Sequence, residues 1–512
     1  MDEKTGDKER VSRASVQRTS SRRAMLALAG ALVVLLALAI GLNVGGLREE
    51  ILWRLSPPHV ASLAVLPFDN LSGDPAEDYL AKGITAGLTD TLGQIGALRV
   101  IARTSVTQYQ KAPKPLPEIA RELNIDAVVE GRVLRAGDRV QMTVSLIHAP
   151  TNWRLREETY ERDLGDVLNL QAEVSRAIAL EIKAKLTPDQ KARLTAIRPV
   201  DPQAYEAFLR GVYGGERGKA EAYLKQAIQL DASFALPYVE LAGRSYWSNY
   251  FTTMAPGDNY PKVKEYAQKA LSLDPTLAEA HYCLALVNHE YDWDFAEAEK
   301  EFKRALELNP NAAEVRHLFS HFLICMGRPE ESRSEDRRAE EIDPADAELI
   351  ACFTWHTAAT SRLDEAEEVG QRALRMGSSY PRVFLGWSYE QRGRYDEAIV
   401  ELQKAVADWG GDVFPTAALG HAYAAAGKDL EAREVLARLL ERSKKEYVSA
   451  YEVATVYAGL GDNDHAFEWL EKAYDERSNA LARFRMDPRL RSLQTDARFQ
   501  NLLRRMNFPQ RP

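Results

Sequence analysis

Leu385-Gly386-x-x-Tyr389…Gly393…Ala398, Leu419-Gly420-x-x-Tyr423…Gly427…Ala432 and Val453-Ala454-x-x-Tyr457…Gly461…Ala466 are three readings of one frame, with their glycines 34 residues apart. A period of this length denotes helical pairs stacked into an array, an architecture that usually holds a partner. Small residues where two helices cross let them pack closely. The glycine ends the first helix in a conformation that side-chained residues resist. Each pair leaves an apolar face that only the next pair can bury.

Working upstream, the second-helix signature recurs as Ala298-x-x-x-Phe302-x-x-Ala305 before Pro310, as Ala339 before Pro344, and as Ala270-Leu271-Ser272-Leu273-Asp274-Pro275. Gly327 and the Asp364-Glu365-Ala366 corner fill the interval, and Ala220…Leu224…Ala227 begins the series in weaker form. Proline stops each second helix. The pattern resembles the tetratricopeptide repeat and predicts about eight helical pairs over residues 202–483. Downstream, Leu490, Leu493, Phe499, Leu502 and Leu503 predict a capping helix and tail over 484–512.

The resemblance implies that the first helix of each pair lines a concave surface. His317, His321, Trp355, Trp387, His421 and Tyr451 would then face a groove suited to a peptide or protein. The alternative is that they only pack between neighbouring helices. His317-x-x-x-His321 has the spacing that grips a metal ion on one helix face. No catalytic glutamate or third ligand accompanies the pair in the sequence, so neither a metal site nor a cofactor is expected.

Before the array, Ala61–Phe68 is an apolar run of strand length, followed by the turn-forming Asp69–Pro75. Leu80, Ile84, Leu88, Leu92 and Ile95 predict an amphipathic helix over 76–95. Strands are expected over 98–102, 126–135, 139–148 and 153–162, with Ala136-Gly137-Asp138 as a hairpin turn. A helix opened by Pro117 and another over 164–186 give the order β-α-β-α-β-β-β-α, an α/β module with a mixed sheet. Ala64–Pro75, Val100–Ser105, Ile119–Leu123 and Val129–Val133 resemble the TolB amino-terminal-like (FlgO-like) module, over about residues 61–190. That family precedes tetratricopeptide arrays in bacterial membrane proteins, including CadC-type regulators and adenylate-cyclase-associated proteins. The resemblance implies a non-catalytic periplasmic interaction module. Lys82 and Gln108-Tyr109-Gln110 depart from the family's usual residues.

Residues 24–47 carry no charge, long enough as a helix to cross a bilayer. Lys4, Lys8, Arg10, Arg13, Arg18, Arg22 and Arg23 precede them. The basic side predicts a cytoplasmic tail over 1–23, a transmembrane helix over 24–47, a linker over 48–60 and a periplasmic remainder. A cleaved signal peptide would have a shorter apolar region than this.

The chain has 512 residues, 28% of them charged, and a net charge of -9, which gives no sign of a nucleic-acid binder. Cys283, Cys325 and Cys352 make no spaced cluster. No phosphate-binding, dinucleotide, zinc-protease or nucleophile-elbow motif is present in the sequence, so no enzyme is expected. The expectation is an inner-membrane scaffold or sensor that binds a peptide or protein. The alternative is the sensory part of a membrane regulator acting through a separate cytoplasmic partner.

Overall fold

The alternating segments between residues 61 and 163 become a six-stranded mixed sheet in a computed structural model that describes residues 59–509, apart from 196–197, 216 and 251–253. The expected basic tail, apolar span and most of the linker lie outside the described residues. Among those described, no helix is long and apolar enough to cross a membrane.

The strands are β1 (Ser62–Val65), β2 (Asp69–Asn70), β3 (Arg99–Ile101), β4 (Ala127–Ala136), β5 (Arg139–His148) and β6 (Trp153–Asp163). They lie in the order β3-β1-β4-β5-β6, with β2 also beside β4. β1 pairs in parallel with β3 and β4 and is buried along its whole length, as an inner strand covered on both faces must be. β4, β5 and β6 form an antiparallel meander, turned at Gly137 with φ +64°. β6 is an edge strand, and its charged, mostly solvent-facing side chains discourage further pairing.

Ala64, Ile101 and Val128 share a core with Val106 and Tyr109 of the Arg103–Lys111 helix and with Ile119 and Leu123 of the Leu116–Leu123 helix. The Asp78–Gly93 and Val167–Glu181 helices pack on each other and on the sheet. Two elements differ from expectation. The Arg103–Lys111 helix is too polar to show a helical period, since only Val106 and Tyr109 carry its apolar face. β2 is a two-residue strand inside the expected turn, fixed where Asn70 Oδ1 accepts from Ser72 N at 3.0 Å.

From Pro202 to Asp475 the described residues form eight helical pairs. The last three are Pro381–Gln391 with Tyr395–Asp408, Val413–Ala425 with Asp429–Arg442, and Ala450–Gly459 with Asn463–Asp475. Gly393, Gly427 and Gly461 all adopt φ near +72°, at +72°, +73° and +72°. In each turn the next residue donates back into the first helix, as Arg394 N to Tyr389 O, Lys428 N to Tyr423 O and Asp462 N to Tyr457 O. The small residues at the crossing are also required: a Cβ on Gly386 would lie 2.6 Å from Leu402, and one on Gly420 2.8 Å from Val435.

The α/β module docks on the corners that end the array's second helices. Asn311 Nδ2 donates to the carbonyls of Gly93 (2.8 Å) and Leu98 (2.9 Å), and its Oδ1 accepts from Val100 N (3.0 Å). One repeat later Ala102 N donates to Ile342 O (2.9 Å) and Ser105 Oγ donates to Asp343 Oδ1 (2.6 Å). Module and array thus belong to one contact unit that begins at Ala61.

Candidate binding groove

Successive first helices line one side of the array, and four of the six singled-out residues fall at one step of that line. His321, Trp355, Trp387 and His421 each lie six positions before the left-handed residue that ends their helix: Gly327, Ser361, Gly393 and Gly427. One such side chain per repeat therefore projects at a corresponding place. All but His321 are buried, and Tyr451 from the next first helix is 0% exposed.

What buries them is the chain itself. The segment expected to cap the last pair does more than that. The Ala497–Arg505 helix packs on the final pair, where Arg505 pairs with Glu471 at 2.7 Å and Arg498 with Asp464 at 2.9 Å. The short turns Asn479–Arg483 and Pro488–Leu493, however, run against the first helices. Trp387 lies under the Arg489 guanidinium, 4.5 Å from its ring centre. His421 Nε2 meets the Arg489 carbonyl at 3.1 Å, which requires the proton on Nε2. Tyr451 Oη donates to Asp487 Oδ2 at 2.8 Å. Asp487 and Glu452 in turn hold Arg489, at 2.7 and 2.8 Å, and Glu452 also pairs with Arg483. Burial alone would lower the Arg489 pKa, but Asp487 and Glu452 overcome it and raise it. Burial would likewise raise Asp487, yet the arginines hold it below the usual carboxylate range.

The tail also closes the array. Phe484, Leu490, Leu493, Phe499 and Phe508 share one core with Phe295, Phe322 and Leu323, far earlier in the chain. Trp293 stacks on Tyr474 at 5.0 Å, and Arg477 Nη1 donates to the Tyr291 carbonyl at 2.7 Å.

A cavity of about 140 Å³ remains beside the seated segment. Its wall includes Trp355, His321, Phe384, Phe414, Glu290 and Arg483. The buried indole N–H of Trp355 and Nε2 of His289 have no partner among the described residues. Burial pushes Glu290 up to about 7, against the lowering effect of its donors Tyr260 Oη at 2.6 Å and Tyr246 Oη at 3.0 Å. Burial pushes His289 down to about 3.

His317 and His321 are brought together, Nε2 to Nε2, at 3.0 Å. Sequence reasoning set this pair aside for want of a third ligand, and the structure supplies a third candidate. The donor atoms of His317, His321 and Cys352 all lie within 4.8 Å of one another. Cys352 comes from the Ala347–Ala359 helix of the next repeat, so linear spacing hides it. Sequence reasoning also missed Arg483, Asp487 and Arg489. Charge does not single them out, since Arg485 and Arg491 lie in the same stretch.

Residues 382–407 match the family model described as Tetratricopeptide repeat. The chain is 32% identical over 237 residues to a protein of Rhizobium meliloti (strain 1021) that carries the name "Putative adenylate cyclase 3", a match spanning 45% of this chain and 40% of that protein. The chain thus spans less than half the length of that curated relative. Among solved structures, YrrB, a TPR protein with an unusual peptide-binding site, is 22% identical, with 36% of this chain and 91% of that one covered and a TM-score of 0.26. The Cut9-Hcn1 hetero-tetramer of the APC/C gives 17% identity, 67% and 72% coverage and a TM-score of 0.39. The family match thus falls on the first of the three glycine-framed pairs, Pro381–Gln391 with Tyr395–Asp408.

Proposed function

We propose that the chain is a non-catalytic interaction module that binds a peptide or protein segment through its concave face, tethered to a bacterial inner membrane by residues 24–47. The observation that carries this reading is the seating of the chain's own Arg483–Arg489 stretch. There the groove already handles a peptide: Trp387 takes a guanidinium, His421 a main-chain carbonyl and Tyr451 a carboxylate. The remaining cavity, about 140 Å³ with Glu290 and Arg483 among its aromatic walls, supports a partner that inserts one side chain of about benzene size carrying a polar group. The resemblance of residues 61–190 to the TolB amino-terminal-like module fits an extracytoplasmic setting.

The test is site-specific photocrosslinking in membranes, with the crosslinker at Trp409 beside the cavity. A discrete adduct that disappears when the cavity is filled by Ala482→Leu supports the reading. The same adducts with the cavity filled, in a variant that unfolds at the wild-type midpoint, would sink it. A reporter fused after residue 512 that is active only in the cytoplasm would overturn the orientation. A second reading, a signalling component that acts through a cytoplasmic partner, draws on the relative that carries a cyclase name.

A further inference from the structure

The concave face carries a second cluster whose chemistry peptide binding does not use. His317 and His321 are one turn apart on the Ala313–Cys325 helix, so both imidazoles leave the same face. Their Nε2 atoms are 3.0 Å apart, and Cys352 Sγ lies within 4.8 Å of one ring nitrogen of each. On a tetrahedral zinc ion, with Zn–N about 2.0–2.1 Å and Zn–S about 2.3 Å, two such nitrogens sit about 3.3 Å apart. Nitrogen and sulfur then sit about 3.6 Å apart. The cluster is within small side-chain adjustments of that geometry.

A neighbouring group adds a second observation. His356, one turn after Cys352, is 0% exposed. Its Nδ1 donates to Asp336 Oδ2 at 2.9 Å. The other ring nitrogen, Nε2, is buried and has no partner among the described residues. Its ring centre is 4.6 Å from that of His321. A route in exists as well, because His321 also forms part of the cavity wall.

We propose that His317, His321 and Cys352 form a binding site for a transition-metal ion of borderline softness, of the Zn²⁺ class. Two imidazoles and one thiolate select such an ion over Mg²⁺ or Ca²⁺, which take oxygen ligands. On binding, Cys352 Sγ gives up its proton to solvent and both histidines bind through deprotonated Nε2. The ion joins the first helices of two adjacent repeats at the cavity wall, so its occupancy would set their spacing beside the groove.

Co²⁺ titration of the reduced, chelator-stripped full-length chain tests this. The expected result is saturation at one equivalent, with a thiolate-to-cobalt charge-transfer band and the intense ligand-field bands of tetrahedral cobalt, both bleached by one equivalent of Zn²⁺. Cys352→Ser should abolish the charge-transfer band and weaken Co²⁺ binding by more than about 100-fold, the upper end of what loss of an outer-shell support costs. His321→Gln should abolish the tetrahedral bands. Cys283→Ser and Cys325→Ser should keep every band, and circular dichroism of each variant controls for folding. Absence of a charge-transfer band in the wild-type chain would overturn the site without recourse to any variant. So would a band that survives Cys352→Ser or vanishes in Cys325→Ser.

Discussion

The two ends of the array solve one packing problem in different ways. In the repeats from Pro381 to Asp475, each first helix ends at a glycine with φ near +72°, and the crossing residues are small because a second helix lies against them. Upstream, the Ala278–Val287 helix runs on into a wide π turn, Asn288–Asp292, and stops at Trp293 with φ +56°. A bulky residue in that conformation costs on the order of 1 kcal/mol and persists where contacts fix it. Those contacts are present: Trp293 stacks on Tyr474, Glu290 accepts from Tyr246 and Tyr260, and the Tyr291 carbonyl accepts from Arg477. The corners at Asn311 and Asp343 hold the α/β module. The regular end keeps its period although the tail lies on its first helices, because its helix crossings are met only by neighbouring pairs. The irregular end departs from the period where it meets the tail or the module.

The largest break in this comparison should come at Arg489, whose guanidinium is buried between Asp487 and Glu452. Removing one partner of a buried ionic group leaves the others charged and unpaired, at a cost of about 3–5 kcal/mol. Arg489→Ala should lower the urea midpoint of the full-length chain accordingly and raise amide exchange in both the Ala450–Gly459 helix and the Asn288–Asp292 turn. An unchanged midpoint would mean that the tail is a detachable cap, and that closure does not explain the irregular end.

One substitution tested at both ends should change sign. A Cβ on Gly420 would lie 2.8 Å from Val435 and 3.2 Å from Val456, so Gly420→Ala should cost about 1–3 kcal/mol through overpacking. A Cβ on Gly243, inside the Leu236–Tyr250 helix, meets nothing within 4 Å. Gly243→Ala should therefore stabilise by about 0.5–1 kcal/mol, the helix-propensity difference between the two residues. Equal losses at both sites, read from denaturant melts, would show that the upstream pairs pack as tightly as the regular ones.

These contrasts mark how far the sequence could be read. The glycine frame was legible because a left-handed turn and a close helix crossing each demand one residue type. Most of the sheet was legible from apolar runs and the Gly137 hairpin turn, while the Arg103–Lys111 helix was not, since tertiary contacts hold its two apolar residues. Trp387, His421 and Tyr451 lie on successive first helices, as the repeat implies. Their occupant was not legible, because Arg489 reaches them only through closure of the array. Cys352 was invisible as a neighbour of His317 for a related reason: the stacking of successive repeats sets their distance, and no local spacing encodes it.

A pH titration probes the irregular end by itself. Glu290 is raised by burial from the ordinary 4.5 to about 7. A carboxyl raised in the folded state contributes its full stability below the unfolded value and loses it as pH climbs through the folded one. Stability should therefore decline between about pH 4.5 and pH 7 on this group's account, and Glu290→Gln should flatten that decline. A Gln variant with an unaltered pH profile would show that Tyr246 and Tyr260 hold the carboxylate in its charged form.

The smallest effect tests where the two regimes meet. Ser361 sits at the turn position that glycine takes elsewhere, with φ +61°. Its turn keeps the same back-donation, from Arg362 N to Thr357 O at 2.9 Å. Ser361→Gly relieves a left-handed strain on the order of 1 kcal/mol, offset in part by the greater freedom of glycine in the unfolded chain. It also removes a tail contact, because Arg491 Nη2 donates to Ser361 Oγ at 2.8 Å. That bond is exposed and of modest worth. The net expectation is a gain of less than about 1 kcal/mol in the denaturant midpoint. A loss would mean that the contact with Arg491 outweighs the strained turn, and would move the boundary between regular repeat and closed end past residue 361.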